Sequence, residues 1–113
     1  MREGYYAVYY ATPLGSGMGM FLLETGRIIG CDMGGGMWGG SYKHDPATNK
    51  LAADMEIVYP DGGASSLSGL KQPGEKDQFK TLLPTAIGDT HQEMLPTSAG
   101  DVAVIFRRLR DPD

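Results

Sequence analysis

The sequence contains one cysteine, Cys31, and no long run of apolar residues. A single cysteine excludes an intramolecular disulfide framework and a zinc site built on a cysteine pair, and it fits a reducing compartment. No apolar run is nearly as long as the about 18 residues that a membrane helix needs. The first residues also lack the apolar core and cleavage site of a signal peptide. We therefore expect a cytoplasmic protein that has no contact with a membrane.

Positive charge is also scarce. Lys and Arg number 10 against 14 Asp and Glu, and the formal net charge is -4. The one basic cluster consists of Arg107, Arg108 and Arg110 beside Asp111 and Asp113, an arrangement typical of a solvated strand end. Because nucleic-acid binding needs clustered Lys and Arg to displace counterions, we expect no direct contact with nucleic acid.

Glycine is the residue in excess. It supplies 17 of the 113 residues, and 11 of these lie within the first 40 positions. Average usage is about 7%. Leu, Ile, Val and Phe are few, but seven Met, six Tyr and one Trp add side chains that can be buried. This composition predicts one small, turn-rich folded domain over residues 1–113.

Glycine and proline divide the chain into segments of about 8 to 12 residues, which is typical of an antiparallel all-β domain. The clearest segment is 51–59, where residues alternate as on a strand with one buried face. Glu24-Thr25-Gly26 predicts the turn of a hairpin. The predicted strands are 5–12, 17–23, 27–32, 37–43, 51–59, a weak strand at 65–70, 79–83, 91–95 and 102–109.

About eight strands in one small chain predict a sheet that closes into a barrel, because an open sheet leaves unpaired edges. A barrel of this size is filled by side chains or holds one small ligand. The aromatic residues of the first strands either line such a cavity or an interface, or they build the core. The candidate lining residues are Tyr6, Val8, Tyr10, Trp38, Tyr42, Met55 and Ile57.

Two patterns resemble chemical sites but have simpler structural explanations. Gly34-x-Gly36-x-x-Gly39 matches a dinucleotide-binding string, yet strand-like residues follow where that site requires a helix. We interpret the string as a glycine-rich bend or bulge. Cys31 beside Asp32 has no identifiable base, so we expect a small packed residue and not a nucleophile. The sequence therefore predicts no catalytic residues and a protein that is not an enzyme.

No metal site or cofactor is predicted. The spacing of His44, Asp45 and His91 matches no recognised ligand set. Four methionines form a loose thioether group that would suit copper(I), but flexible methionine side chains more commonly fill core or interface space. These methionines are Met18, Met20, Met33 and Met37.

Four short segments of residues 1–60 share their glycine, aromatic or aliphatic placement with a known family. They are Gly4-x-Tyr6-x-Val8-x-Tyr10, Gly15-x-Gly17-x-Gly19, Arg27-Ile28-Ile29-Gly30-x-Asp32 and Trp38-x-Gly40-x-Tyr42. Together they resemble the GrlR-like family of negative regulators of type III secretion. The similarity continues more weakly through Phe79-x-x-x-Leu83-Pro84 and the closing strand.

The resemblance implies a small lipocalin-like β-barrel that forms a homodimer and encloses an apolar cavity. The best-known member of that family binds a helix-turn-helix transcriptional activator and blocks it without itself binding DNA, and the resemblance implies the same action here. That member uses four consecutive acidic residues in an exposed loop. The corresponding connection here, 43–50, has one acidic residue and two lysines.

The leading hypothesis is a non-enzymatic regulator that masks a partner protein, and the resemblance implies a transcriptional activator as that partner. The candidate interface residues are Tyr5, Tyr9, Met18 and Met20, because aromatic residues and methionine are enriched at protein contacts. The alternative is a carrier of a small apolar ligand in the barrel interior. The inward face of segment 17–23 stays open, because apolar residues occupy both of its faces.

Overall fold

The computed structural model describes residues 1–113 as an all-β chain. None of its elements is a helix with the length and apolarity needed to cross a membrane. The strands are β1 (Gly4–Thr12), β2 (Gly15–Glu24), β3 (Arg27–Asp32), β4 (Met37–Asp45), β5 (Lys50–Val58), β6 (Gly63–Ser65), β7 (Gly69–Lys71), β8 (Lys76–Leu83), β9 (Thr90–Thr97) and β10 (Gly100–Arg110).

Eight of these strands form a closed antiparallel barrel in the order β1-β10-β9-β8-β5-β4-β3-β2. The first and last strands close it, with Tyr6 opposite Arg108 and Ala11 opposite Ala103. The predicted antiparallel barrel of about eight strands is therefore confirmed, and its architecture is consistent with a small lipocalin-like barrel.

The chain between β5 and β8 differs from the prediction. One weak strand over 65–70 is wrong: two short strands, β6 and β7, form a separate hairpin outside the barrel. Gly69 has a φ of 88°, a left-handed conformation that interrupts an extended strand and starts β7 after a turn. Val58 of β5 pairs with Lys76 of β8. The β6–β7 hairpin is therefore an insertion at the tip of an already paired β5–β8 hairpin.

The core is built from the inward side chains of the barrel strands. Its largest fully buried members are Tyr6, Leu23, Ile28 and Phe106. Tyr6 stacks on Phe21 with 5.4 Å between ring centroids, and Phe21 meets Phe106 edge-on at 6.1 Å. Such aromatic pairs stabilise a fold beyond the apolar area that they bury.

Glycines on the inner face of β2 leave space for aromatic rings from other strands. A Cβ atom at Gly17 would lie 2.8 Å from the Tyr10 ring, and one at Gly19 would lie 3.0 Å from the Trp38 ring. A larger residue at Gly17 would displace the Tyr10 ring, and one at Gly19 would also press on the Cys31 carbonyl of β3 at 2.5 Å. The Tyr10 ring of β1 and the Trp38 ring of β4 thus occupy the part of the barrel interior next to Gly17 and Gly19, where β2 has no side chains.

Candidate functional site

The barrel encloses an apolar cavity of about 480 Å³. Of its 26 lining residues, 19 are hydrophobic. This volume falls within the range of about 300 to 1,000 Å³ that is usual for small-molecule sites. The exposed side chain of Met33 also borders the cavity, so the cavity reaches the surface near the β3–β4 loop.

The cavity brings five of the predicted lining residues together and leaves out two. Tyr6 and Tyr42 do not line it, because each lies four residues along its strand from Tyr10 or Trp38. That spacing corresponds to about 13 Å. Tyr6 is instead fully buried, and its hydroxyl donates to the Arg2 carbonyl at 2.6 Å. The residues that do line the cavity are Val8, Tyr10, Trp38, Met55 and Ile57.

Several further lining residues were not predicted from the sequence. Asp32 lines the cavity although its neighbour Cys31 points outward and is exposed. Strand alternation is the signal that could have placed Asp32 on the inner face, two residues after Gly30. The other unpredicted aromatic and aliphatic lining residues include Phe21, Ile28, Tyr59, Leu67, Phe79 and Val104.

Asp32 organises the loop between β3 and β4. Its Oδ1 atom accepts hydrogen bonds from the backbone N–H of Gly34 at 2.8 Å and of Gly36 at 2.9 Å. Its Oδ2 atom accepts one from the Trp38 indole Nε1 at 2.8 Å. A Cβ atom at Gly36 would lie 2.7 Å from the Ile57 side chain. The glycine string is therefore a tight bend, as predicted. The bend forms around the Asp32 carboxylate, which also orients Trp38 in the cavity wall.

The β6–β7 hairpin forms the roof of the cavity. Four of its residues, 64–67, line the cavity, and the Thr12 hydroxyl donates to the Ser66 carbonyl from the opposite side of the barrel mouth. The roof therefore contacts β1 and forms part of the cavity wall.

The buried Asp77 of β8 holds this roof in place. Its carboxylate accepts hydrogen bonds from the hydroxyls of Ser65 at 2.5 Å, Ser68 at 2.7 Å and Tyr59 at 3.4 Å, and it pairs with Lys71 Nζ at 2.9 Å. Burial alone would raise the pKa of Asp77, but the hydrogen bonds from Ser65, Ser68 and Lys71 and the Lys71 charge outweigh it, so the pKa is lowered. The ionised carboxylate is the form that fastens the roof.

Two tyrosine hydroxyls in the cavity wall are held neutral. Burial, followed by the charge interactions with Asp32 and then with Tyr59, raises the pKa of Tyr10. Burial is likewise the largest cause of the raised pKa of Tyr59. At neutral pH both groups therefore carry no charge, and the Tyr59 hydroxyl donates to Asp77.

The predicted interface residues lie on the outer surface of β1 and β2, and two of them, Tyr9 and Met18, also border the cavity. Tyr9, Met18 and Met20 are 41%, 38% and 47% exposed, and Tyr5 is half-buried. The strand register places them in one field of side chains that continues across neighbouring strands. We call this field the outer apolar face; it consists of Tyr5, Tyr9, Met18, Met20, Leu22, Ile29, Met37 and Ile105.

Of the remaining candidate residues, Cys31 lies within the outer apolar face, and His44 and His91 lie outside both sites. The expectation that Cys31 is a packed residue is wrong, because alternation along β3 places it on the outside between Met20 and Met37. The His44 ring contacts the Asn49 side chain, and the His91 ring contacts Glu93. No group of three or more His, Cys, Asp or Glu residues is arranged to hold a metal ion.

The chain matches no protein-family model, and it matches no curated protein sequence.

Proposed function

We propose that this protein binds a small apolar molecule inside its barrel. The observation that carries the proposal is the cavity of about 480 Å³, whose wall is formed mainly by apolar and aromatic side chains. Apolar surface that leaves water for such a site contributes about 25 cal/mol per Å². A cavity of this size and composition therefore favours an apolar occupant.

The chemistry of the wall supports binding and not catalysis. Among the lining residues there is no His, Cys, Lys or Arg, and Asp32 is the one carboxylate. The Asp32 oxygens already accept three hydrogen bonds. The Ser65 hydroxyl contacts the Asp77 carboxylate, but that carboxylate is paired with Lys71 and its pKa is lowered, so it is a weak base for activating a nucleophile.

Two alanines of β5 give a matched test of this proposal. Ala53 is buried and lines the cavity, whereas its neighbour Ala52 lies on the outer side of the same strand. We expect Ala53→Phe to weaken binding of the neutral apolar dye N-phenyl-1-naphthylamine by about tenfold or more, because the new ring occupies part of the cavity. Ala52→Phe should leave the affinity unchanged.

Fluorescence titration of the two variants and of the wild type measures this difference. Thermal melting of each variant checks that the barrel is intact. A folded Ala53→Phe protein that binds the dye as well as the wild type would contradict the proposal. Native mass spectrometry of protein purified from its own cells should show an added small-molecule mass.

The outer apolar face favours a second function. We infer that this face binds a protein partner and thereby masks it, as the resemblance to the GrlR-like regulators implies. The inferred partner is a cytoplasmic transcriptional activator. An exposed apolar field with several methionines and tyrosines is characteristic of a contact surface. The acidic residue of the β4–β5 connection is not free for this role, because Asp45 accepts hydrogen bonds from Ala47 and Thr48 within the turn. The sheet face is therefore the surface that this proposal uses.

Capture of proteins from the native cells tests the second function. We expect an activator to be retained by the wild type and lost with Met20→Lys, which places a charge in the centre of the outer apolar face. Retention of the same protein by both forms, or of no transcription factor by either, would argue against it.

A further inference from the structure

We propose that the molecule bound in the barrel is apolar and carries a cationic amine, which lies beside Asp32. This inference rests on the proposed binding function and names the chemical class of its ligand. It is drawn from the charges of the cavity wall and from the rings that surround Asp32.

The cavity wall carries one negative charge and no positive charge. Asp32 is the only acidic residue among the 26 lining residues, and none of them is Lys, Arg or His. Asp32 takes part in no salt bridge, and its three hydrogen-bond donors are neutral groups of Gly34, Gly36 and Trp38. The Asp32 carboxylate in this apolar wall is thus not paired with a basic side chain of the protein.

Aromatic rings stand beside this carboxylate. The Trp38 indole donates to Asp32, and the Tyr10 ring lies 5.9 Å from the Trp38 ring, tilted by 55°. Burial and the Asp32 charge raise the pKa of Tyr10, so its ring is neutral. Ring faces of Trp and Tyr attract a cation when it lies within about 6 Å of their centres. An ammonium group next to Asp32 would therefore pair with the carboxylate, and the neighbouring Trp38 and Tyr10 rings give that pair an aromatic surrounding.

Binding of a negatively charged ligand at the same place is unfavourable. A carboxylate that enters the cavity loses its hydration, finds no basic side chain to pair with, and is repelled by Asp32. A neutral alcohol avoids the repulsion but gains no ion pair. The expected order of affinity is amine, then alcohol, then carboxylate.

Three ligands with the same ten-carbon chain test this order: decylamine, decanol and decanoate. At pH 7.5 and low salt the amine is a cation and the acid is an anion. Displacement of N-phenyl-1-naphthylamine, below the concentration at which the ligands self-associate, measures each affinity. We expect decylamine to bind about tenfold or more tightly than decanoate, with decanol between them.

The variant Asp32→Asn should remove this preference, so that decylamine loses about tenfold while decanol changes little. Asp54→Asn is the control, because it removes the same charge from an exposed position of β5. Should Asp32→Asn fail to fold, the wild-type comparison of amine with carboxylate still decides the question.

The outcomes separate the two proposals. Decanoate that binds the wild type as tightly as decylamine overturns the inference, and dye and decanol binding then still support the apolar-ligand function. A preference for amine that survives Asp32→Asn in a folded protein also overturns it. If neither the dye nor any of the three ligands binds, the proposed function fails and the inference fails with it.

Discussion

Glycine 30 lies on the inner face of β3, where no side chain fits. A Cβ atom there would lie 2.8 Å from the Cα and Cβ atoms of Phe21 and even closer to the Met20 carbonyl oxygen. These neighbours belong to the backbone of β2, so they cannot move without separating two paired strands. Gly39 on the neighbouring β4 has nothing within 4 Å of the same hypothetical atom.

We therefore expect Gly30→Ala to lower the free energy of unfolding by about 2 to 3 kcal/mol, the cost of overpacking a close contact. Gly39→Ala should change it by no more than about 0.5 to 1 kcal/mol and in the stabilising direction, since alanine restricts the unfolded chain. Urea denaturation of the two variants and the wild type compares these free energies. Equal stability of both variants would show that β2 and β3 do not approach so closely.

At the residue scale, the position of a residue could be predicted where its side-chain type alone indicates whether it faces the interior or water. Val8, Met55 and Ile57 are apolar members of alternating strands, and they line the cavity as expected. Asp32 is charged, so its residue type argued against the interior. It is accepted there because Trp38 and two backbone N–H groups contact it, and those contacts depend on the β3–β4 register.

At the scale of elements, Asp77 joins the β6–β7 hairpin to β8. Its pKa is lowered in the folded state, so its contribution to stability is complete above the unfolded pKa of about 3.9 and is lost as the pH falls through the folded value. Replacement by asparagine removes this contribution and leaves the Lys71 charge largely buried.

We expect Asp77→Asn to lower the free energy of unfolding by about 3 kcal/mol at pH 6. Between about pH 5 and pH 2 the wild type should lose stability more steeply than Asp77→Asn, so that the gap between them narrows. Urea titrations across this pH range measure both curves. Asp54→Asn, which changes an exposed carboxylate, should instead follow the wild-type slope, and parallel curves for Asp77→Asn would refute the assigned role.

Elements were predictable where one strand face was clearly more apolar than the other, as in β5. Strand β2 was ambiguous because its outward Met18 and Met20 are more hydrophobic than its inward Gly17 and Gly19. The interior beside these glycines is filled by Tyr10 and Trp38 from other strands. Hydrophobicity within one strand cannot reveal a neighbour's ring, and it also missed the turn that divides β6 from β7.

For the whole molecule, the outer apolar face extends over β10, β1, β2, β3 and β4. An exposed apolar field on one side of the barrel suits contact with a second copy, and a second copy and an activator would then compete for this face. We expect sedimentation velocity to show a dimer for the wild type and a monomer for Met20→Lys. Gln78→Lys adds the same charge on β8, at an exposed position on a different part of the barrel, and should remain dimeric. A monomeric wild type would contradict the expected homodimer.

The position of the β6–β7 hairpin has a consequence for how such a protein can change over evolution. The hairpin is inserted between two strands that are already paired up to Val58 and Lys76, and its own strands pair only with each other. Insertions, deletions and substitutions in the roof, other than at the residues that contact Asp77, can therefore accumulate while the barrel is inherited unchanged. Descendants of one scaffold could acquire different ligands by exchanging a single short loop, as antibodies do with their hypervariable loops.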